Sequence, residues 1–140
     1  MNYHRKTYFP FIIWLIVFLI LTILSTIIVT LWIKTWAPFL NKIVYLIVYL
    51  ALLSLFQLMD RGGYVYWING GPSYEQAKAA TTWQRKEYTQ AHLKLIKKAT
   101  AMGILFLLLG LFFHSPLWLD TLLFLLVLFR FAFKTIAIKF

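Results

Sequence analysis

Catalysis and metal binding need side chains that converge, and this chain offers few that could. Its three histidines, His4, His92 and His114, stand far apart in sequence, and no cysteine accompanies them. No Cys–His or His–Glu spacing of the zinc type occurs. The four acids, Asp60, Glu75, Glu87 and Asp120, are scattered too, so general acid–base work by paired carboxylates has no ready candidate. Gly70-Gly71 leads into Ser73-Tyr74-Glu75-Gln76, and a helix N-terminus after glycines can bind an anion. The lysine of the Walker pattern is missing, however. Ser73 and Gln76 have instead the S-x-x-Q spacing of a capping box, in which each side chain satisfies a backbone N–H near the other. No catalytic residue, cofactor or metal is therefore expected.

The elements around these residues explain the scarcity. Of the 140 residues 62% are hydrophobic and 13% charged, against about 45–50% and about 25% in soluble chains. So few charges cannot cover that much apolar surface in water, so the solvent is partly lipid. About 20 apolar residues cross a bilayer, and four greasy segments stand out, at about 9–33, 43–59, 99–113 and 117–133. The first is too long for the core of a signal peptide, which runs to about 15 residues. The expected fold is all-α: a single integral membrane domain of four transmembrane helices, with an amphipathic cytoplasmic helix between the second and third. Trp14 and Trp32 would mark the two interfaces of the first span, and Trp36 with Pro38 a tight reversal after it.

Small side chains mark the faces on which these helices should pack. Thr22, Thr26 and Thr30 recur every four residues in the first span, and Ala99, Gly103 and Gly110 share one side of the third. Such stripes let helices approach closely. No span holds an ionisable residue at its middle, which disfavours a proton-coupled exporter.

The loop at 60–98 is the one long polar segment and holds half of the 14 basic residues. A turn region rich in glycine and aromatics comes first, with the Tyr64-to-Ile68 run expected as an interfacial aromatic loop. From Ser73 the pattern reads as a helix, uninterrupted by glycine or proline as far as Met102 and able to run straight into the third span. Tyr74, Ala77, Thr81, Gln84, Tyr88, Ala91 and Leu95 would form its weakly apolar face. With four spans, both termini and this loop share one side, which then carries every lysine and arginine except Lys34 and Lys42. The positive-inside rule makes that side cytoplasmic. Arg85, Lys86, Lys94, Lys97 and Lys98 would contact anionic lipid or a partner. Topology already explains these charges, so no nucleic acid is expected.

The apolar span ending in Arg61-Gly62-Gly63-Tyr64, followed by a basic stretch and another span, resembles uncharacterised small integral membrane proteins of low-GC Gram-positive bacteria. The resemblance covers Ile43 to about Phe113. It implies a bacterial plasma membrane and supplies no activity or functional residues. The leading expectation is a non-enzymatic membrane protein acting by association with lipid, a larger membrane protein or further copies of itself. Two others stand beside it: a small transporter, channel or bacteriocin-immunity-type protein, and an interfacial lipid-modifying enzyme using Asp60, Arg61 and Tyr64.

Overall fold

A computed structural model describes residues 4–32 and 37–140. It is all-helical, with no strand among the described residues. Five α-helices follow in order: α1 Phe9–Trp32, α2 Ala37–Gly62, α3 Tyr74–Ala79, α4 Thr82–Phe112 and α5 Leu117–Ile136, with a 3₁₀ turn at Val65–Trp67. Lys34, Trp36 and the reversal expected there lie outside the described residues, as do the side chains of Trp32 and Pro38.

Among the described residues three helices are long and apolar enough to cross a membrane, α1, α2 and α4. The fourth segment expected to span, at about 117–133, is helical as α5 but does not qualify by composition. α5 carries Asp120, Arg130 and Lys134 within its 20 residues, too many charges for apolar composition alone to qualify it. The boundaries shift as well. α2 begins at Ala37, so Lys42 lies inside a helix rather than in a turn. The expected amphipathic helix from Ser73 is two helices. Ser73 does cap α3 through the capping box with Gln76. Thr81 and Gln84 then form a second capping box, which satisfies the first N–H groups of α4 and ends α3 without glycine or proline. From Thr82 the chain does run unbroken into the apolar span. At 1.5 Å per residue α4 is about 46 Å long, well beyond a hydrocarbon core of about 30 Å.

The buried face of α4 is the one expected only in part, at Tyr88, Ala99, Gly103 and Gly110. It follows Tyr88, Thr89, His92, Ile96, Ala99, Gly103, Leu107 and Gly110, a single stripe at three-to-four spacing. Thr81 and Gln84 are exposed, and Ala91 and Leu95 only half-buried. What decides the face is α2, whose Asp60 accepts from Thr89 Oγ1 at 2.7 Å and whose Phe56 ring stacks on His92.

Tyr49 of α2 and Val127 of α5 share the main core with Leu93, Ile96, Ala99 and Leu107 of α4. Here the expected small-residue face has its use. A Cβ on Gly103 would lie 2.3 Å from the Tyr49 ring, so only glycine lets the fully buried tyrosine lie against the α4 backbone. α1 is peripheral and packs chiefly on α2. Its Thr22 and Thr26 hydroxyls donate to the carbonyls of Phe18 and Thr22 within α1 itself, and Thr30 is exposed. Trp14 of α1 donates Nε1 to Ser54 Oγ of α2 at 2.8 Å.

Replacing Gly103 by Val should cost about 1–3 kcal/mol through overpacking against Tyr49. Denaturation of the purified protein in mixed micelles measures this, and the double variant with Tyr49→Ala should recover part of the loss.

Candidate functional site

The chemistry-bearing side chains collect at the two ends of the bundle. At one end α2, α4 and α5 meet on an ion pair. Lys42 Nζ of α2 donates to Asp120 Oδ2 of α5, and both side chains are at least 96% buried. Ser115 Oγ donates to the other carboxylate oxygen, and Lys42 Nζ lies 3.4 Å from the Ser115 carbonyl. Gly110 makes room for this cluster, since a Cβ there would fall within 2.6 Å of Ser115 Oγ and 2.8 Å of Asp120 Oδ1. One turn along, Tyr45 OH bonds Thr121 Oγ1 at 2.7 Å. A small cavity of about 10 Å³ adjoins Asp120, room for about one water.

Sequence reasoning did not join Lys42 to Asp120. The pairing needs α2 and α5 to be neighbours, and 78 residues separate the partners. The available signal was electrostatic: an acid and a base left over at one end of apolar helices have strong reason to pair, because an isolated buried charge is costly.

At the other end residues 4–8 and 138–140 return to the central segment. Residues 4–8 form a strap in front of α1, held by an aromatic platform. Tyr66 OH donates to the Thr7 carbonyl at 2.9 Å and accepts from Thr7 N at 3.1 Å. Trp67 Nε1 donates to the same carbonyl at 3.0 Å, and Tyr74 OH donates to the His4 carbonyl at 2.8 Å. Tyr64 stacks on Trp67 with centroids 4.0 Å apart, and the His4 ring meets Tyr64 edge-on. From the C-terminus Ile138 packs on the same cluster, and the Phe140 ring meets Tyr88 at 5.2 Å. The expected aromatic loop is thus a half-buried platform.

Arg61-Gly62-Gly63-Tyr64, the run on which the family resemblance rests, ends α2. Gly63 has φ +64° and Tyr64 N donates to the Met59 carbonyl at 3.0 Å, which together make a Schellman motif. Asp60 is held by Thr89 and Tyr64 by Trp67, while Arg61 is exposed. The structure therefore does not bring Asp60, Arg61 and Tyr64 together on a shared group.

Lys86, Lys94, Lys97 and Lys98 are exposed along α4 at this end. Arg85, expected among them, has another task. Its Nη1 donates to the carbonyls of Ala77 and Ala80, and its Nη2 to Thr82 Oγ1, bracing the junction of α3 and α4. Among the described residues no three His, Cys, Asp or Glu side chains group as metal ligands. No protein-family model, curated protein or solved structure matches the chain.

Two predictions follow from these ends. Lys42→Met alone leaves a buried carboxylate unpaired and should cost about 3–5 kcal/mol, whereas Lys42→Met with Asp120→Leu should be close to neutral; a denaturation cycle of the four proteins measures the coupling. The strap should respond to pH. Burial, then the nearby Arg85 guanidinium, lowers the His4 pKa below its usual 6.5. A group with a lowered folded pKa contributes its full stability above 6.5 and loses it as pH falls through the folded value. Trp67 fluorescence should therefore be constant above that pH and shift below it, and His4→Asn should flatten the response.

Proposed function

We propose that this chain is a non-enzymatic bacterial plasma-membrane protein with cytoplasmic termini, acting by association through its basic end. The observation that carries the reading is the one-ended distribution of charge. The strap, the aromatic platform and residues 138–140 meet at one end. Lys86, Lys94, Lys97 and Lys98 are exposed on the same part of α4. At the opposite end Lys42 is consumed by Asp120.

The same arrangement supports α5 as a fourth crossing. It runs from the Asp120 cluster at one end to the Phe140–Tyr88 contact at the other. Its 20 residues measure about 30 Å, the thickness of a hydrocarbon core. Asp120 is neutralised by Lys42, and Arg130 and Lys134 can extend along apolar surface to reach headgroups. With four crossings, the basic end obeys the positive-inside rule. Exposed basic side chains next to a span attract anionic lipid, each contributing about 1 kcal/mol.

The buried ion pair is the observation that favours a second reading, a small transporter, since intramembrane ionisable groups commonly mark ion pathways. Against it stand the satisfied partners on both Asp120 oxygens and the minimal space beside them. We read the pair as a clasp.

The native chain has no cysteine, so single cysteines report topology without background. Cysteines at Glu75 and Lys139 should react with an impermeant maleimide from the cytoplasmic side only, and one at Phe113 from the outside only. If Phe113 and Lys139 label from the same side, α5 does not cross and the orientation is wrong. Lys86, Lys94 and Lys97 changed together to Glu should then lose whatever protein co-purifies in mild detergent. Unchanged recovery with unchanged topology would argue against the basic end as the contact surface.

A further inference from the structure

Between α4 and α5, at the basic end, lies a groove of about 280 Å³. Its floor is apolar, formed by Ala99 and Val127, both at most 5% exposed, with the Phe131 ring beside them. Around it stand Lys98 of α4 and Arg130 and Lys134 of α5, all exposed and none in an ion pair among the described residues. No acidic side chain lines the groove. An apolar slot bordered by three cations on two adjacent helices is complementary to one kind of molecule, an amphiphile with an anionic head.

We propose that this groove binds one anionic phospholipid, its phosphate held by Lys98, Arg130 and Lys134 and the upper part of one acyl chain lying on Ala99 and Val127. The proposal rests on the reading of the bundle as membrane-spanning. Depth fits it. Counted from the turn between α4 and α5, Lys98 and Arg130 stand about 20 Å along their helices and Lys134 about 26 Å. In a core about 30 Å thick this leaves Lys134 about 4 Å and Lys98 and Arg130 about 10 Å short of the headgroups, toward which their long side chains extend. Size fits as well. About 280 Å³ is slightly under the usual range of small-molecule pockets, about 300–1,000 Å³, so it admits the part of a lipid nearest its head while the rest stays in the bilayer.

Such a lipid would differ from the diffuse ionic layer that collects around the exposed lysines further along α4. Basic pockets between helices on the cytoplasmic side recognise individual headgroups. Arg130 can engage a phosphate with two parallel hydrogen bonds, which a lysine cannot. The bound lipid would also cover an unfilled seam between α4 and α5 and offset part of the repulsion among three like charges that line it.

The test is native mass spectrometry of the full chain taken from nanodiscs of phosphatidylglycerol and phosphatidylcholine in equal parts. The expected result is one retained phosphatidylglycerol on the wild-type protein. K98Q/R130Q/K134Q should retain it about a hundredfold more weakly, from about fivefold per lost cation. K86Q/K94Q/K97Q removes the same charge outside the groove and should retain it as wild type does. Equal loss in both triple variants would reduce the site to general electrostatics and overturn the proposal. So would retention of phosphatidylcholine to the same extent, or a dimer in which cysteines placed at Phe131 cross-link across two copies. Gel-filtration profiles matching wild type exclude misfolding of a variant. The cysteine labelling above is independent: normal labelling with no retained lipid sinks the groove alone, whereas abnormal labelling sinks the membrane reading beneath it.

Discussion

At one end of the bundle, three helices converge on a single buried charge pair. Lys42 comes from α2, Asp120 from α5, and α4 contributes the absence of a side chain at Gly110 that lets the other two meet. Neither charge could remain there alone, because an uncompensated ion in low dielectric is costly by several kcal/mol. Each therefore fixes where the other's helix must lie. Ser115 in the α4–α5 turn donates to the remaining carboxylate oxygen and ties that turn to the same point. The pair is not strong evidence of stability, since an apolar replacement can serve as well; its contribution is to specify one arrangement of otherwise interchangeable greasy helices.

From that point the core follows by close approach. Tyr49 lies against the α4 backbone at Gly103 and edge-on to Phe124 of α5, and Tyr45 stacks on the same phenylalanine while bonding Thr121. These contacts are aromatic and directional, unlike the aliphatic surface of α1, most of which faces outward. α1 is accordingly the least embedded helix. It is held by the Trp14–Ser54 hydrogen bond and, at its start, by the strap from His4 to Tyr8 across the aromatic platform. The polar ends thus do for α1 what the core does for α2, α4 and α5.

The two ends divide the chemistry. Among the described residues one is closed, with Lys42 and Asp120 paired internally, and the other is open, with exposed cations facing outward beside a groove. The open end is the contact surface we propose, and residues 4–8 and 138–140 return to it.

Much of this was legible beforehand. The apolar runs, the Ser73 capping box, the small-residue face of the third span and the asymmetry of charge are local or additive properties, so they survive without knowledge of the partners. The break at Ala80 was also written in the chain, as Thr81-x-x-Gln84, but it is concealed by the helix-forming residues on both sides. What only the tertiary structure decided is which residues meet. Lys42 and Asp120 are separated by 78 positions, Gly103 and Tyr49 by 54, and Arg130 and Lys98 share a groove only because α4 and α5 are antiparallel neighbours. Helical periodicity tells which side of a helix a residue is on. It does not tell which helix lies opposite, and that choice depends on a charge pair whose two halves are far apart in the chain.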